Sequence, residues 1–445
     1  MTPENEKSAA GPRRDLSRRS FLAAAGAAMA APIVVDPEFA ARAVHLLGRE
    51  TLKVGLVGCG GRGTGAAIQA LRADKGAVLW AVADLLEDRI KGSLAGIEEE
   101  LGEQAAGKID VGDRKFLGFD AYKSLIASGV DVVLLCTVPA FRPAHLEEAV
   151  RAGKHVFCEK PMAVDAPGLA RVRAAAREAK AKGLSLTSGF CWRYHDAMRA
   201  TFGKIHEGAL GDVLSVHTTY HTSTLSARPR KPEWSEMEFQ LRNWWHFTWL
   251  SGDHIVEQAC HSIDRLAWAL NDAVPISCTA LGGRAAREGE TSGHVFDHFA
   301  VIYEYANGLR AHHTCRQIDH CPNDNRDYVY GTKGWSVVNG WAPPWEIKDL
   351  SGKTTWRYDG PVRDMYQNEH DHFFASIRAK SAVNDGEWMC NSVQMALMGR
   401  MAAYTGQTVT WDQCTNSRED LSPAKLEFGP MPQPPVAVPG KTKFI

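Results

Sequence analysis

The sequence predicts an α/β chain that opens with a doubly wound parallel sheet and continues into a separate α+β domain. Three observations carry that reading. A short β-prone run stops at Gly58-Cys59-Gly60-Gly61-Arg62-Gly63 and passes directly into a helix-compatible stretch. Strand-like and helix-like segments then alternate as far as residue 190, which is the signature of βαβ units. After residue 191 the alternation stops and short β-prone runs dominate. The expected divisions are residues 1–49, 50–190 and 191–445.

Taken in order, Thr51 to Val57 forms the first strand, and a helix follows from Thr64 to Leu71. Strand, G-x-G-x-x-G and helix in that order make a dinucleotide-binding turn. Gly58 allows the sharp bend, Gly60 lets the backbone approach a pyrophosphate, and Gly63 lets strand and helix pack closely. The anion then sits on free N–H groups at the helix N-terminus. A second strand, Val78 to Ala83, ends at Asp84, about 20 residues beyond the turn, where a carboxylate can accept from both hydroxyls of an adenosine ribose. It would repel a 2′-phosphate, so NAD is favoured. Arg62 keeps NADP open, because a nearby guanidinium can hold that phosphate.

The apolar run Val130 to Cys136 reads as a parallel strand buried on both faces. It ends in Thr137-Val138-Pro139, and a helix covers about Pro143 to Ala152 before Gly153 stops it. His155 to Cys158 is a strand leading into Glu159-Lys160-Pro161; a helix spans 166–182, and Leu184 to Phe190 closes the sheet. In the second domain, Val213 to His221 and Val295 to Arg316 are strand-rich, the latter broken by the hairpin signal Asn307-Gly308. Cys278 to Leu281, Trp335 to Val338 and Thr354 to Tyr358 are further short strands. Pro430 to Pro439 is expected to be extended and able to wrap a neighbouring subunit.

Composition narrows the function. Lys and Arg number 51 against 52 Asp and Glu, so no electrostatic drive toward nucleic acid or an anionic membrane face exists. The ten cysteines include no C-x-x-C pair and read mainly as buried small hydrophobes. Near the N-terminus, Ser17-Arg18-Arg19-Ser20-Phe21-Leu22 precedes an Ala-rich stretch of roughly 15 residues, too short and mild to span a membrane. It resembles a bacterial twin-arginine export signal, with small residues at Ala28 and Ala30 or Ala41 and Ala43 as cleavage points. That resemblance implies passage through the twin-arginine translocon to the periplasm in a folded state.

The glycine turn, Thr137 to Pro139, His145, and above all Ala152-Gly-Lys-His-Val-Phe-Cys-Glu-Lys-Pro161 resemble the Gfo/Idh/MocA oxidoreductase family. The likeness continues through Gly189 to Tyr194, Asn307-Gly308, Gly331 to Gly334 and Gly399 to Gln407. It implies a Rossmann domain plus a domain with a large, mostly antiparallel sheet that holds substrate and often forms a homo-oligomer interface. It also implies a cofactor side built from Gly58, Gly60, Gly61, Arg62, Gly63, Asp84, Thr137, Pro139, His145, Glu159 and Lys160. The family's activity leaves two reactions open. One is hydride transfer between nicotinamide and a secondary hydroxyl of a sugar, cyclitol or glycoside. The other is glycoside hydrolysis by transient oxidation and elimination. Because free NAD is scarce outside the cytoplasm, a tightly bound cofactor is expected.

Carbinol oxidation needs a base for the hydroxyl proton and a cation near the oxygen. Lys160 follows a parallel strand's carboxyl end, where ligands bind in open sheets. The resemblance implies that it contacts the reacting hydroxyl. A continuous helix from His254 would put Glu257 and His261 at i, i+4, with Asp264 a further turn along. The family commonly shows Asp-x-x-x-His here, implying that His261 exchanges the proton and Glu257, in place of Asp, orients it. His254, Glu257 and His261 also share a helix side, but H-E-x-x-H and H-x-x-E-H spacings are absent, so no metal is expected. Substrate contacts are expected from Arg193, Tyr194, Trp245, His246 and His254, with Asp253 either a further contact or a helix cap.

Overall fold

The computed structural model describes residues 51–431 and 433–445. The expected export signal and linker, residues 1–49, lie outside the described residues. The first sheet contains β1 (Leu52–Val57), β2 (Ala77–Asp84), β3 (Lys115–Leu117), β4 (Val132–Leu135), β5 (His155–Cys158) and β6 (Leu186–Ser188). Its order is β3-β2-β1-β4-β5-β6, with every pairing parallel. The chain runs outward from β1 through β2 to β3, then restarts at β4 on the other side. That reversal opens a crevice at the carboxyl ends of β1 and β4. β4 is buried at all of its positions, as a strand covered on both faces must be.

Residues 85–129 hold structure that the alternation did not delimit: β3 and the helices Glu87–Leu101 and Ala121–Ala127. The longer helix buries only Ile90, Ser93, Ile97 and Leu101, a thin stripe among charged residues and glycines.

The second sheet has nine strands. They are β7 (Val213–Thr222), β8 (Ser277–Gly283), β9 (His298–Glu304), β10 (Arg310–Gln317), β11 (Arg326–Gly331), β12 (Gly334–Asn339), β13 (Glu346–Asp349), β14 (Thr354–Arg357) and β15 (Val409–Thr410). Their order is β14-β13-β12-β11-β7-β10-β9-β8-β15, antiparallel throughout except for the parallel β7–β10 pair. Strict alternation of buried and half-buried residues along β9 marks one face against helices and one face free of them. The helix Gly386–Thr405 is buried on nearly every side, which its apolar composition permits.

The helix Met365–Arg378 returns to the first sheet and packs on the helix Gly61–Ala73, where Phe373, Phe374 and Ile377 join Ala66, Ala67 and Leu71 in one core. Arg378 clamps Asp74 with two hydrogen bonds, at 2.7 and 2.8 Å. The sequence division at residue 190 therefore separates the sheets but not the helical layer. The described residues of the proline-rich tail run without helix or strand and are tied to their own chain, with Gly440 N donating to the Thr405 carbonyl at 2.9 Å and Ser417 Oγ donating to the Ile445 carbonyl at 2.6 Å.

Candidate active site

At the carboxyl end of β1, Gly58 has φ +99°, and a Cβ there would stand 2.5 Å from the Cys136 and Thr137 backbone. A Cβ on Gly63 would lie 1.9 Å from the Gly58 carbonyl oxygen. Gly60 and Gly61 are different: a Cβ on either meets no heavy atom within 4 Å. The helix Gly61–Ala73 starts at Gly60 with no side-chain cap and no acid in its first turn. Its leading N–H groups therefore face open space, the donor set a pyrophosphate requires. Asp84 ends β2, where it accepts from Cys59 N at 2.6 Å and Leu86 N at 3.0 Å. Burial raises its pKa, while those two bonds oppose the rise. These residues fit a dinucleotide.

Arg62 does not face the ribose end. Its guanidinium donates to Glu159 Oε1 at 2.5 Å, Gln69 Oε1 at 2.8 Å and Glu369 Oε1 at 3.1 Å. Its guanidinium is thus engaged by two carboxylates and an amide. Glu159 is equally committed: its second oxygen accepts from Lys160 N at 3.0 Å. Glu369, which sequence reasoning missed, comes from the returning helix 307 positions away. Thr137 Oγ1 lies 3.2 Å from His145 Nδ1, and His145 stacks on Tyr122 at 4.1 Å. Pro139 is buried at the start of a short turn of helix. Thr137 and His145 thus line the crevice beside Asp84.

Lys160 follows β5 and reaches across to the second domain's helices. Its Nζ donates to the Glu257 backbone carbonyl at 2.6 Å and lies 3.6 Å from Glu257 Oε1. That carbonyl is available because the predicted helix is broken. One turn covers His254–Glu257 and a second helix begins at Cys260, with Gln258 at φ −109°, ψ −54° between them. Glu257 is consequently not aligned with His261 as expected; it pairs with Lys160, and no hydrogen bond joins it to His261. Burial lowers the pKa of the Lys160 ammonium, yet the surrounding groups, Glu257 foremost among them, together outweigh it and hold the pKa above its ordinary value. Lys160 is a fixed cation.

His261 is buried beside it, edge-on to Phe190 at 5.9 Å. Burial, then the Lys160 charge, pushes its pKa well below the usual 6.5. Nδ1 is enclosed without a partner, so Nε2 is the nitrogen left for chemistry. The imidazole is a neutral proton acceptor. Tyr220 on β7 stands in the same electrostatic environment, pushed up to about 12 by burial against the pull of Lys160. Gln317 Nε2 donates to Gln258 Oε1 at 2.7 Å next to Glu257. Sequence reasoning missed both; Tyr220 was findable, sharing the alternate face of β7 with buried Val216 and Thr218.

The expected substrate residues are corrected in part. Arg193 is consumed by Asp264, with three contacts at 2.8–3.0 Å, and by Asp272, with contacts at 2.5 and 3.0 Å; it also stacks on Trp388 at 4.0 Å. Asp264 is thereby an arginine partner rather than a histidine-side residue. Tyr194 is buried, with its hydroxyl 3.2 Å from Asp385. His254 is buried against Phe299, its Nδ1 3.1 Å from Asp253 and 3.3 Å from the Phe296 carbonyl. Asp253 caps the His254 turn at φ +78° while accepting from Phe296 N at 2.8 Å and the Tyr404 hydroxyl at 2.5 Å. Trp245 is half-buried, donating to Ser226 O at 3.1 Å and to His246 Nε2 at 2.9 Å. His246 is fully enclosed beside Arg287.

Two measurements follow from this wiring. Arg193→Ala leaves two carboxylates facing a buried gap, and is expected to destabilise the fold by about 3–5 kcal/mol in denaturant titrations. A substrate contact alone would leave stability intact. Second, burial and then Arg142 push His145 down to about 3, while burial and then Arg287 push His246 down to about 4. Both folded-state values lie below the unfolded value, so protons favour the unfolded chain. Their contribution is complete above pH about 6.5 and shrinks by up to about 1.4 kcal/mol per histidine per pH unit below it. Thermal midpoints should therefore fall between pH 6.5 and 4.

Residues 52–190 match the family model for the oxidoreductases with an NAD-binding Rossmann fold, and residues 199–337 match the GFO/IDH/MocA C-terminal domain. The chain belongs to the Gfo/Idh/MocA oxidoreductase family. Inositol 2-dehydrogenase of Cereibacter sphaeroides is 30% identical over 58% of this chain and 65% of its own length. Trans-1,2-dihydrobenzene-1,2-diol dehydrogenase of Mus musculus is 29% identical over 51% of this chain and 60% of its own. The likeness to such curated Gfo/Idh/MocA relatives thus spans just under two thirds of their length. A levoglucosan dehydrogenase solved with NADH and levoglucosan shares the fold, with TM-score 0.61, 19% identity, and coverage of 81% of this chain and 99% of that one. So does scyllo-inositol dehydrogenase of Lactobacillus casei, with TM-score 0.60, 17% identity, and coverage of 82% and 100%.

Proposed function

We propose that this chain is an NAD-dependent oxidoreductase acting on a secondary hydroxyl of a sugar, cyclitol or glycoside. The observation that carries this reading is a Lys160 ammonium anchored on the Glu257 carbonyl, with buried His261 within its electrostatic reach, at the carboxyl edge of a sheet whose glycine turn is open for a pyrophosphate. Asp84 at the ribose position and an Arg62 already bound by carboxylates favour NAD over NADP.

The Lys160 ammonium donates to the carbinol oxygen and holds it as negative charge develops. His261 Nε2 takes the hydroxyl proton. Glu257 keeps Lys160 protonated and fixes its reach through the backbone carbonyl at 2.6 Å. A bound nicotinamide dinucleotide supplies the two-electron acceptor for the carbinol hydrogen. Gln258 and Gln317 add amide groups suited to neighbouring hydroxyls.

Export to the periplasm through the twin-arginine translocon is part of the proposal, supported by Arg18-Arg19 and the Phe21-Leu22 that follows. A homo-oligomer is supported by apolar residues on the helix-free face of the nine-stranded sheet, among them Leu281 at 77% and Tyr330 at 46% exposure. Full-length protein should carry NAD in native mass spectra, and a polyol and sugar library should yield a substrate that raises nicotinamide absorbance at 340 nm. Release of aglycone from aryl glycosides with no net absorbance change would replace oxidation by the elimination reaction.

A further inference from the structure

The crevice at the carboxyl ends of β1, β2 and β4 is lined by Val57, Asp84, Leu85, Phe119, Thr137 and Phe141, among others. A Rossmann turn by itself leaves such a crevice open to solvent. Here two segments from the far side of the sequence pack against the apolar residues of its rim. Leu85, Phe119 and Phe141, from loops of the first sheet, share one apolar cluster with Met237 of the helix Glu236–Arg242 and with Leu421 and Met431 of the C-terminal segment. This cluster is separate from both main cores.

These segments are tied down on each side. Arg242 forms a two-point ion pair with Asp88, immediately after β2, at 3.1 Å for both contacts. Phe428 packs on Phe119 with ring centroids 5.3 Å apart, and Met237 N donates to the Gly429 carbonyl at 3.1 Å. At its near end the C-terminal segment is anchored by Glu419 on buried Arg400 and by Leu421 N donating to Asp165 Oδ2 at 3.0 Å. At its far end, Ile445 O accepts from Ser417 Oγ at 2.6 Å, so the tail closes on itself.

We propose that residues 234–250 and 419–431 form the outer wall of the dinucleotide site and keep the coenzyme enclosed between turnovers. The proposal rests on the NAD reading above. A coenzyme leaving through the ribose end must part Phe119 from Phe428 and Asp88 from Arg242. Its release is then limited by that opening rather than by the contacts of the glycine turn. None of these wall residues belongs to the glycine fingerprint.

The test uses full-length protein loaded with NADH, chased with excess NAD and followed by nicotinamide fluorescence. Wild type is expected to keep its coenzyme through gel filtration. Phe428→Ala and Arg242→Gln should each release it at least about tenfold faster, because related complexes differ mainly in dissociation rate. Phe428 is 46% exposed, so removing its ring opens no core cavity, and Arg242→Gln supplies an independent probe on the other segment. Leu350→Ser, at a surface position 71% exposed on the turn after β13, should release as wild type does. Wild-type release rates in both wall variants, or complete loss of NADH by wild type within the mixing time, would overturn the wall while leaving NAD binding intact. A wild-type protein that takes up no NAD or NADH would remove the proposed function and the wall together.

Discussion

Lys160→Met is expected to lower kcat/KM by about 10²–10³, the range seen when one donor to a developing oxyanion is removed. The size follows from the pinning of the ammonium, not from charge alone. Nζ is held at 2.6 Å by a carbonyl and 3.6 Å from a carboxylate, so it arrives at the substrate oxygen already oriented and already charged. Such a donor costs no reorganisation when charge appears. Lys160→Arg keeps the charge but exchanges a compact ammonium for a planar fork that cannot occupy the same point. It should recover only a small part of the loss. Glu257→Gln keeps the carbonyl that anchors Nζ and removes the carboxylate that holds it protonated, so its defect should be smaller than that of Lys160→Met. Equal losses in the two variants would mean that Glu257 itself touches the substrate.

Most of the first sheet was legible because strands such as β4 are buried on both faces and read as unbroken apolar runs, whereas the short, exposed β3 carries no such run. The hairpin at Asn307-Gly308 was legible for an equally local reason: Gly308 sits at φ +83°, where glycine is at ease. The wiring of the site was not. Nothing in His254 to Cys260 signals a helix break, because the break is stabilised from outside, by Lys160 at 97 positions' distance claiming the Glu257 carbonyl. Arg193 was read as a substrate residue because the family resemblance places its segment at the cleft, but its partners Asp264 and Asp272 lie 71 and 79 positions away. Arg62 and Glu369 illustrate the same limit across 307 positions. Periodicity reports which face of an element is buried; it does not report which charged partner comes to meet it.

His261→Ala is expected to cost about 10²–10⁴ in kcat/KM, the usual contribution of a positioned general base, with binding of NAD unchanged. Its pH behaviour is the sharper readout. The imidazole pKa is lowered well below 6.5 first by burial and next by the Lys160 charge. A base whose pKa is depressed stays unprotonated as the pH falls through 6.5, so wild-type kcat/KM should show no acidic limb there. Removing the ammonium removes one of the two main causes of the depression. In Lys160→Met the residual activity should therefore acquire an acidic limb at higher pH than wild type. Lys160→Arg, which keeps the charge, should leave the limb where it was. A limb near 6.5 in wild type, or one that ignores the charge at position 160, would show that the proton leaves by a route other than this imidazole.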